Sequence, residues 1–177
     1  MEAGLVERVE VGNLPLDFDA FFAASQPRLL RALTAGCGDS HLAADCVQEA
    51  FVQAHLRWSQ VAAYDKPDAW VRRVAINKLR DHLRRRERRE RLRRRLAGLA
   101  VESPGDPAAS VGGEVDDLLA RLPRQQRLTV AMHYLEDLSV ADIGQLLGIS
   151  EGTVKFHLHQ ARAKLRPLLR KDQNGMP

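Results

Sequence analysis

Apolar side chains recur at helical spacing in the first half of the chain, and breakers divide the pattern into separate helices. A first helix is predicted from Asp17 onward, with Pro27 at a start or a kink, by the apolar positions Phe18, Phe21, Phe22, Leu29, Leu30 and Leu33. The breaker "GCGDS", with Ser40 as an N-cap, predicts a second helix from His41 to about Trp58. The apolar face of this second helix consists of Leu42, Cys46, Val47, Ala50, Phe51 and Ala54.

A third helix is predicted to begin near Asp68, with Pro67 as its first residue, and to continue into an arginine-rich run. Its inner stripe consists of Trp70, Val71, Val74, Ala75, Leu79 and Leu83. A second face of the same helix carries Arg73, Asn77, Arg80 and Arg84. Between Arg84 and Arg91 no apolar residue occurs, so this segment cannot pack into a core and projects into water or onto a polyanion.

The second half of the chain is separated from the first by "GLAVESPGDPAASVGG", a Pro/Gly/Ser/Ala-rich linker. Short helices are predicted beyond it, one beginning near Glu114 and another following Pro123. No stretch alternates at period two, so an all-α fold of two small helical domains is expected. The predicted boundaries are an N-terminal tail at 1–16, a first domain at 17–96, a linker at 97–113, a second domain at 114–171 and a tail at 172–177.

The spacing in the last part of the chain is that of a helix-turn-helix. Ser139 with Asp142 forms a capping box before a short helix over Val140–Leu147, and Gly148 supplies a left-handed turn. Ser150 caps a second helix, and Gly144 lets the two helices approach closely. Ile149 closes the core, with a buried stripe of Val154, Leu158, Ala161 and Leu165. These signals together favour a DNA-binding module over an ordinary helical hairpin.

The second helix of such a module places its first turns in the major groove. Lys155 and Arg162 are candidates for phosphate contacts, and His159 and Gln160 are candidates for base edges. The full set of candidates is Ser150, Glu151, Thr153, Lys155, Phe156, His159, Gln160 and Arg162. The alternative for any single member is a solvated helix residue.

The amino-acid composition is that of a folded protein with an uneven distribution of positive charge. The chain has 177 residues, 45% hydrophobic and 28% charged, as expected of a folded domain or two. Its net charge of +4 is unevenly placed, since "HLRRRERRERLRRRL" at 82–96 contains nine arginines. No signal peptide or membrane-spanning run occurs in the sequence, so a cytoplasmic protein with reduced thiols is expected.

No nucleophile motif, glycine-rich phosphate loop or H-E-x-x-H spacing indicates an enzyme. Cys37, His41 and Cys46 are conceivable zinc ligands, but they lack a fourth ligand and a C-x-x-C spacing. No metal and no cofactor are therefore expected.

Three motifs in sequence order resemble the extracytoplasmic-function group of the bacterial sigma-70 family, in particular its actinobacterial members. "HLAADCVQEAFVQAHLRW" resembles the D-x-x-Q-E-x-F helix, and "KPDAWVRRVAINKLRDHLRRRERR" resembles the helix that follows it, both in sigma region 2. "LPRQQRLTVAMHYLEDLSVADIGQLLGISEGTVKFHLHQARAKLR" resembles sigma region 4. The resemblance covers roughly residues 17–170 and implies a three- to four-helix bundle for region 2, a helix-turn-helix for region 4, and a factor that directs transcription initiation.

The resemblance also implies partners and site residues. Core RNA polymerase would be bound through the clamp helices of its largest subunit and the flap of its second largest, with Asp45, Val47, Gln48, Glu49 and Phe51 on the polymerase-binding helix. The promoter −10 element would face Arg73, Asn77, Arg80, Arg84 and Arg85, with Tyr64 and Asp65 as candidates for a pocket that holds a flipped base. The outer arginines at 91–95 either follow DNA or are solvated. An anti-sigma factor is a common further partner in the family.

The recognition helix differs from the pattern "TVKSRLHRAR" of many relatives. Phe156, His157 and Gln160 replace a small polar residue and two arginines, which lowers the positive charge at the groove. Phe156 could contact a thymine methyl group, or pack on the polymerase or a neighbouring helix.

Linker length bears on how the two domains reach a promoter. A random coil of residues 98–113 spans about 20–25 Å, and at most about 55 Å when extended. Two promoter boxes lie roughly 50–70 Å apart. Something must therefore hold the linker stretched, and the resemblance implies that binding to core polymerase does so; free protein is then expected to bind promoter DNA poorly. The alternative is a stand-alone helix-turn-helix regulator, which would bind DNA without polymerase.

Overall fold

The computed structural model describes residues 17–96 and 114–173. Across these residues the regular structure is entirely helical, in agreement with the predicted all-α class. The predicted N-terminal tail and linker lie outside the described residues, as do residues 174–177 of the C-terminal tail. The last helix continues to Gln173, two residues beyond the predicted end of the second domain.

The N-terminal domain contains four helices: α1 (Phe18–Cys37), α2 (Ser40–Leu56), α3 (Trp58–Val61) and α4 (Pro67–Leu96). Asp17 caps α1 by accepting a hydrogen bond from the Ala20 amide at 3.1 Å, and Pro27 lies inside this helix. The cap of α2 is Asp39 rather than the expected Ser40. Gly38 adopts a left-handed conformation (φ 73°) that ends α1, which leaves Asp39 extended and able to accept from the Leu42 amide at 3.0 Å.

The second helix ends earlier than predicted, because Arg57 leaves the helical region (φ −123°, ψ 25°). A new short turn, α3, then begins at Trp58, whose ring lies 5.2 Å from that of Phe18 and 5.0 Å from that of Phe21. Helix α4 begins at Pro67 as predicted and continues for 30 residues through the arginine run. The buried residues of this domain include Phe21, Leu29, Leu33, Cys46, Val47, Phe51, Val71, Ala75, Ile76, Leu79 and Leu83.

The C-terminal domain contains α5 (Glu114–Ala120), α6 (Arg124–Tyr134), α7 (Val140–Leu147) and α8 (Glu151–Gln173). The predicted span of α7 is confirmed, because its two ends are set by local signals. The Ser139 hydroxyl accepts from the Asp142 amide at 3.1 Å, and Gly148 adopts φ 66°. An added Cβ at Gly144 would lie 3.0 Å from the Ile149 carbonyl oxygen, so the small residue is needed where the turn crosses α7.

The two domains pack against each other, which the sequence did not predict. Helix α1 of the N-terminal domain packs along α6 of the C-terminal domain, and smaller contacts join α1 to α5 and α4 to α7. The buried side chains of both domains form one continuous core. The predicted separation into two domains is therefore a division of the chain, whereas the described residues form a single packed body.

Candidate nucleic-acid interface

The arginine face of α4 is mostly open to solvent. Arg73, Asn77, Arg84 and Arg85 are exposed, at successive turns along one side of the helix. Arg80 is more buried than these four residues. Its guanidinium lies 3.7 Å from the position of a Cβ added at Gly148. The structure therefore brings four of the predicted residues onto one free surface and places the fifth against the turn between α7 and α8.

The loop before α4 carries the two candidates for a base pocket. Tyr64 and Asp65 are both exposed, at the end of α3 and before Pro67. In the chain they come shortly before α4, which carries the arginine face.

The outer half of α4 is a solvated helix with a few ion pairs. Glu90 accepts from the Arg94 guanidinium at 3.1 Å one turn later, and Glu87 lies 3.5 Å from Arg124 of the C-terminal domain. Leu92 and Leu96 are both exposed. Nearly all side chains at 84–91 are exposed, as their lack of apolar residues predicted.

The helix α2 presents a second free surface. Asp45, Gln48 and Glu49 are exposed along one side of it. Val47 and Phe51, the other two predicted polymerase-binding residues, are buried in the core instead of lying on this surface. The physical reason is helical geometry: the predicted apolar face of α2 includes both positions, and this face packs against α1 and α4.

The same side of α2 continues into exposed apolar residues that the sequence reasoning missed. Val52 is exposed and Leu56 is 77% exposed, at steps of four from Gln48. The signal was present in the spacing 48, 52, 56, which places Val52 and Leu56 on the same side as Gln48 and outside the predicted apolar face. Asp45, Gln48, Glu49, Val52 and Leu56 are called the α2 surface below.

Glu49 on the α2 surface forms an ion pair with Lys78 of α4, at 2.6 Å between Oε2 and Nζ. The hydrogen bond from Lys78 lowers the pKa of the Glu49 carboxyl below its ordinary value, and the charges of Lys78, His82 and Arg85 act in the same direction. Glu49 therefore keeps its negative charge at any pH near neutrality.

The recognition helix α8 presents its first two turns to solvent. Glu151, Lys155, Phe156 and His159 are exposed, and Thr153 and Gln160 are half-buried. Ser150 and Thr153 are engaged in capping, because the Ser150 hydroxyl accepts from the Thr153 amide at 3.1 Å and lies 2.8 Å from the Thr153 hydroxyl. The Phe156 ring is 56% exposed, so it is available to a partner rather than packed on a neighbouring helix.

The Arg162 side chain of α8 is held by Tyr134 of α6, which lies outside the helix-turn-helix. Its Nε donates to the Tyr134 hydroxyl at 2.8 Å, and its guanidinium carbon lies 5.8 Å from the centre of the Tyr134 ring. Tyr134, at the end of α6, was not singled out by the sequence as a site residue. This contact uses one edge of the guanidinium and fixes its position on the exposed side of α8.

The capping box favours the negatively charged form of Asp142 in the first turn of α7. The hydroxyl of Ser139 donates to the Asp142 carboxylate at 2.6 Å, and this bond lowers the pKa of the Asp142 carboxyl. The positive charges of Lys66 and Arg72, from the N-terminal domain, lower it further. The start of α7 therefore faces basic residues of the loop before α4 and of α4 itself.

No cluster of three or more His, Cys, Asp or Glu side chains suited to a metal ion occurs at 17–96 or 114–173. Cys37 and Cys46 are both buried free thiols. Burial raises the pKa of the Cys37 thiol, and it raises that of Cys46 to about 12. None of the described helices is both long enough and apolar enough to cross a bilayer.

Two family models match the chain. Residues 21–89 match sigma-70 region 2, and residues 112–165 match sigma-70 region 4. Together they include most of both domains in the predicted order.

Curated relatives cover most of the chain. It is 37% identical over 144 residues to the ECF RNA polymerase sigma factor SigF of Caulobacter vibrioides, which covers 80% of this chain and 77% of that protein. It is 32% identical over 151 residues to the RNA polymerase sigma-E factor of Streptomyces avermitilis, covering 85% of this chain and 84% of the relative.

Solved structures show the same fold. The sigma factor RpoE of Bartonella quintana, crystallised with the anti-sigma factor NepR, superposes with a TM-score of 0.67 at 22% identity, over 87% of this chain and 97% of that one. CnrH in complex with the cytosolic domain of CnrY superposes with a TM-score of 0.54 at 27% identity, over 88% of each chain.

Proposed function

The chain belongs to the extracytoplasmic-function group of the sigma-70 family, and we propose that it places core RNA polymerase on promoters by binding polymerase through α2 and DNA through α4 and α8. It is an RNA polymerase sigma factor, and the stand-alone regulator is not favoured. The proposal concerns which surfaces make which contacts. As a specificity factor it supplies no chemistry itself and acts with polymerase in the cytoplasm.

The α2 surface is the proposed polymerase-binding site, with the clamp helices of the largest subunit as its partner. Its acidic end at Asp45 and Glu49 suits a basic partner, and its apolar end at Val52 and Leu56 gains free energy when covered. Val47 and Phe51 support this surface from beneath, because they anchor α2 in the core. The flap of the second largest subunit is proposed as the partner of the C-terminal domain.

The arginine face of α4 is the proposed site for the −10 element. Arg73, Arg84 and Arg85 supply charge for phosphates, and Asn77 can pair with a base edge. Tyr64 is proposed to stack on an unpaired base, with Asp65 beside it to accept hydrogen bonds from the base edge. Arg80 joins this face once the C-terminal domain no longer lies against it.

The first turns of α8 are the proposed site for the −35 element. Lys155 and Arg162 are assigned to phosphates, and His159 and Gln160 to base edges. The exposed ring of Phe156 fits contact with a thymine methyl group. Ser150 and Thr153 hold the start of the helix, because the Thr153 amide donates to the Ser150 hydroxyl.

The observation that carries the proposal is the presence of the α2 surface together with the two basic surfaces in one chain. A regulator that binds DNA alone has no use for an exposed acidic and apolar helix on its other domain. One structural relative is a sigma factor bound to an anti-sigma factor, and we extend this kind of partner to the chain as a proposal.

Binding to purified core polymerase tests the α2 surface directly. Leu56→Asp places a charge at a residue that is 77% exposed, so it leaves the fold intact and disrupts only what covers this position. We expect core affinity to fall about tenfold or more, as for a residue at the centre of an interface. Leu92→Asp, at another exposed leucine on α4, is the matched control and should bind core as the wild type does.

Equal core affinity for Leu56→Asp and the wild type would show that polymerase does not use the α2 surface. Binding should be measured without DNA, by fluorescence anisotropy of a labelled chain, so that the DNA-binding surfaces do not contribute. Failure of the wild-type chain to bind core at all would contradict the proposed function.

A further inference from the structure

Two side chains from different helices meet at the edge of the recognition helix. Arg162 lies on the side of α8 that also carries Lys155 and His159, because steps of four and three residues stay on one side of a helix. All three side chains are exposed. Tyr134 is the last residue of α6 and is 52% exposed, with its ring beside the Arg162 guanidinium. The end of α6 therefore adjoins the side of α8 that is proposed to bind DNA.

The contact between Tyr134 and Arg162 holds the guanidinium but leaves most of its donors available. The Nε of Arg162 donates to the Tyr134 hydroxyl oxygen at 2.8 Å, and the guanidinium carbon lies 5.8 Å from the centre of the ring. The remaining N–H donors of a guanidinium are on its two Nη atoms. No residue at 17–96 or 114–173 forms a hydrogen bond or an ion pair with these two atoms. They can therefore bind one phosphate through two parallel hydrogen bonds.

The Tyr134 hydroxyl keeps a donor of its own. A tyrosine hydroxyl can accept and donate at the same time, and this one accepts from Arg162. Within the described part of the chain no residue accepts its proton, and the side chain is open to solvent. Tyrosine hydroxyls and arginine guanidinium groups both donate to phosphate oxygens in protein–DNA complexes. The two side chains therefore present a neutral donor next to a charged one.

His133 holds Tyr134 from behind. The rings of these two residues meet edge to face, with 4.8 Å between their centres. The Nδ1 of His133 lies 2.9 Å from the Leu138 carbonyl oxygen, and Nδ1 is the donor because a carbonyl oxygen can only accept. Leu138 directly precedes Ser139, the cap of α7. This series of contacts therefore joins the start of the helix-turn-helix to the Arg162 side chain.

We propose that Tyr134 and Arg162 together form one binding site for a backbone phosphate of the −35 duplex, with Tyr134 as a DNA-contacting residue supplied by α6. The Nη atoms of Arg162 bind the phosphate oxygens, while the Tyr134 hydroxyl holds Nε and donates to the same phosphate. The site contacts no base, so it fixes the position of α8 on the duplex and not the sequence that is read. It rests on the proposed function, since its ligand is the −35 duplex.

Replacement of single phosphates in promoter DNA tests this site in the polymerase complex. The DNA upstream of the chain's own gene is prepared as a set of duplexes, each with one −35 phosphate replaced by an uncharged methylphosphonate. We expect the affinity of the wild-type complex to fall at several positions. With Arg162→Ala, the replacement at one of these positions should lose its effect, because that phosphate no longer has its charged partner. With Tyr134→Phe, the effect should shrink at the same position and at no other.

The hydroxyl and the charge have different effects on unmodified promoter DNA. Tyr134→Phe removes only the hydroxyl and keeps the ring, so affinity should fall roughly tenfold, as for a lost hydrogen bond to a charged group. The slope of log affinity against log salt should stay unchanged, because no charge is removed. Arg162→Ala should make this slope shallower by about 0.9. Arg121→Ala, at an exposed arginine before α6, removes the same charge and should change neither the slope nor the phosphate map.

The outcomes separate the phosphate site from the proposed function. A wild-type complex whose affinity depends on no −35 phosphate would contradict the DNA-binding role of α8, and the site with it. A wild-type map with several sensitive phosphates, beside an identical map for Tyr134→Phe, would overturn the site alone. Loss of effect at different phosphates in Tyr134→Phe and Arg162→Ala would do the same. A lower unfolding temperature of Tyr134→Phe with an unchanged phosphate map would assign the contact to the fold and not to DNA.

Discussion

The thiol of Cys46 lies wholly inside the N-terminal domain, and burial raises its pKa from 9.0 to about 12. In the unfolded chain the thiol ionises near its ordinary pKa, while in the folded chain it stays protonated. The unfolded state therefore holds fewer protons between pH 9 and 12, so stability is fully present below pH 9 and is lost as the pH rises through this window.

Cys46→Ala should flatten this pH dependence. Between pH 9 and 11 we expect the free energy of unfolding of the wild type to fall by roughly 1 kcal/mol per pH unit more than that of the variant. Urea unfolding of both proteins at pH 8, 9, 10 and 11 provides the comparison. The two proteins share all other titrating groups, so the contributions of these groups cancel in the difference between their unfolding free energies. Equal slopes for the two proteins would mean that the thiol ionises freely in the folded state.

At the scale of single residues, the sequence predicted the exposure of a side chain better where its position on a helix determines that exposure. Gln48, Arg73 and Lys155 are exposed, as expected from their helical spacing. Arg72 and Glu136 could not be recognised as a buried pair, because they are separated by 64 positions and become neighbours only when the domains pack. Their residue types predict exposed positions when taken alone.

At the scale of helices, the turn of the helix-turn-helix depends on a glycine with a left-handed backbone. Gly148 has φ 66°, which costs about 1–2 kcal/mol for a residue with a Cβ. Gly148→Ala should therefore lower the unfolding temperature by several degrees, about 2–4 °C per kcal/mol for a packed body of this size. Calorimetry provides the measurement.

Gly152→Ala is the matched control for Gly148→Ala. It lies in the first turn of α8, where an added Cβ meets only the Ser150 hydroxyl at 3.7 Å, an ordinary contact. Alanine favours helix over glycine, so this variant should be unchanged or slightly more stable. Equal destabilisation by the two substitutions would show that backbone conformation at Gly148 is not the cause.

The arginine face of α4 predicts a measurable salt dependence of promoter binding. Arg84→Ala removes one proposed phosphate contact, so the slope of log affinity against log salt for the polymerase complex should become shallower by about 0.9. Arg31→Ala, at an exposed arginine of α1, should leave the slope unchanged. Filter binding between low and moderate salt gives both slopes, and equal slopes for Arg84→Ala and the wild type would exclude Arg84 from the phosphate contacts.

The helices that were predicted most closely are those with local end signals. Helix α7 is defined by Ser139 at one end and Gly148 at the other, and its span was predicted to the residue. The end of α2 was misplaced because Arg57 carries no turn signal, and only packing of Trp58 on the phenylalanines of α1 explains the break. Tertiary contacts override local preference at such positions.

At the scale of the whole molecule, the sequence predicted two domains and their order, but not their contact. The contact is made by Gly36, Arg127 and Glu136, whose partners lie far away in the chain. No periodicity in the sequence records such a pairing.

Run-off transcription tests the central claim most directly. The template is the DNA upstream of the chain's own gene, transcribed by purified bacterial core RNA polymerase with and without the protein, beside a gel shift of the protein alone. We expect a defined transcript only when core and the protein are both present, and little promoter binding by the protein alone. Tight sequence-specific binding by the protein alone, with no core-dependent transcript, would contradict this account and favour a conventional regulator.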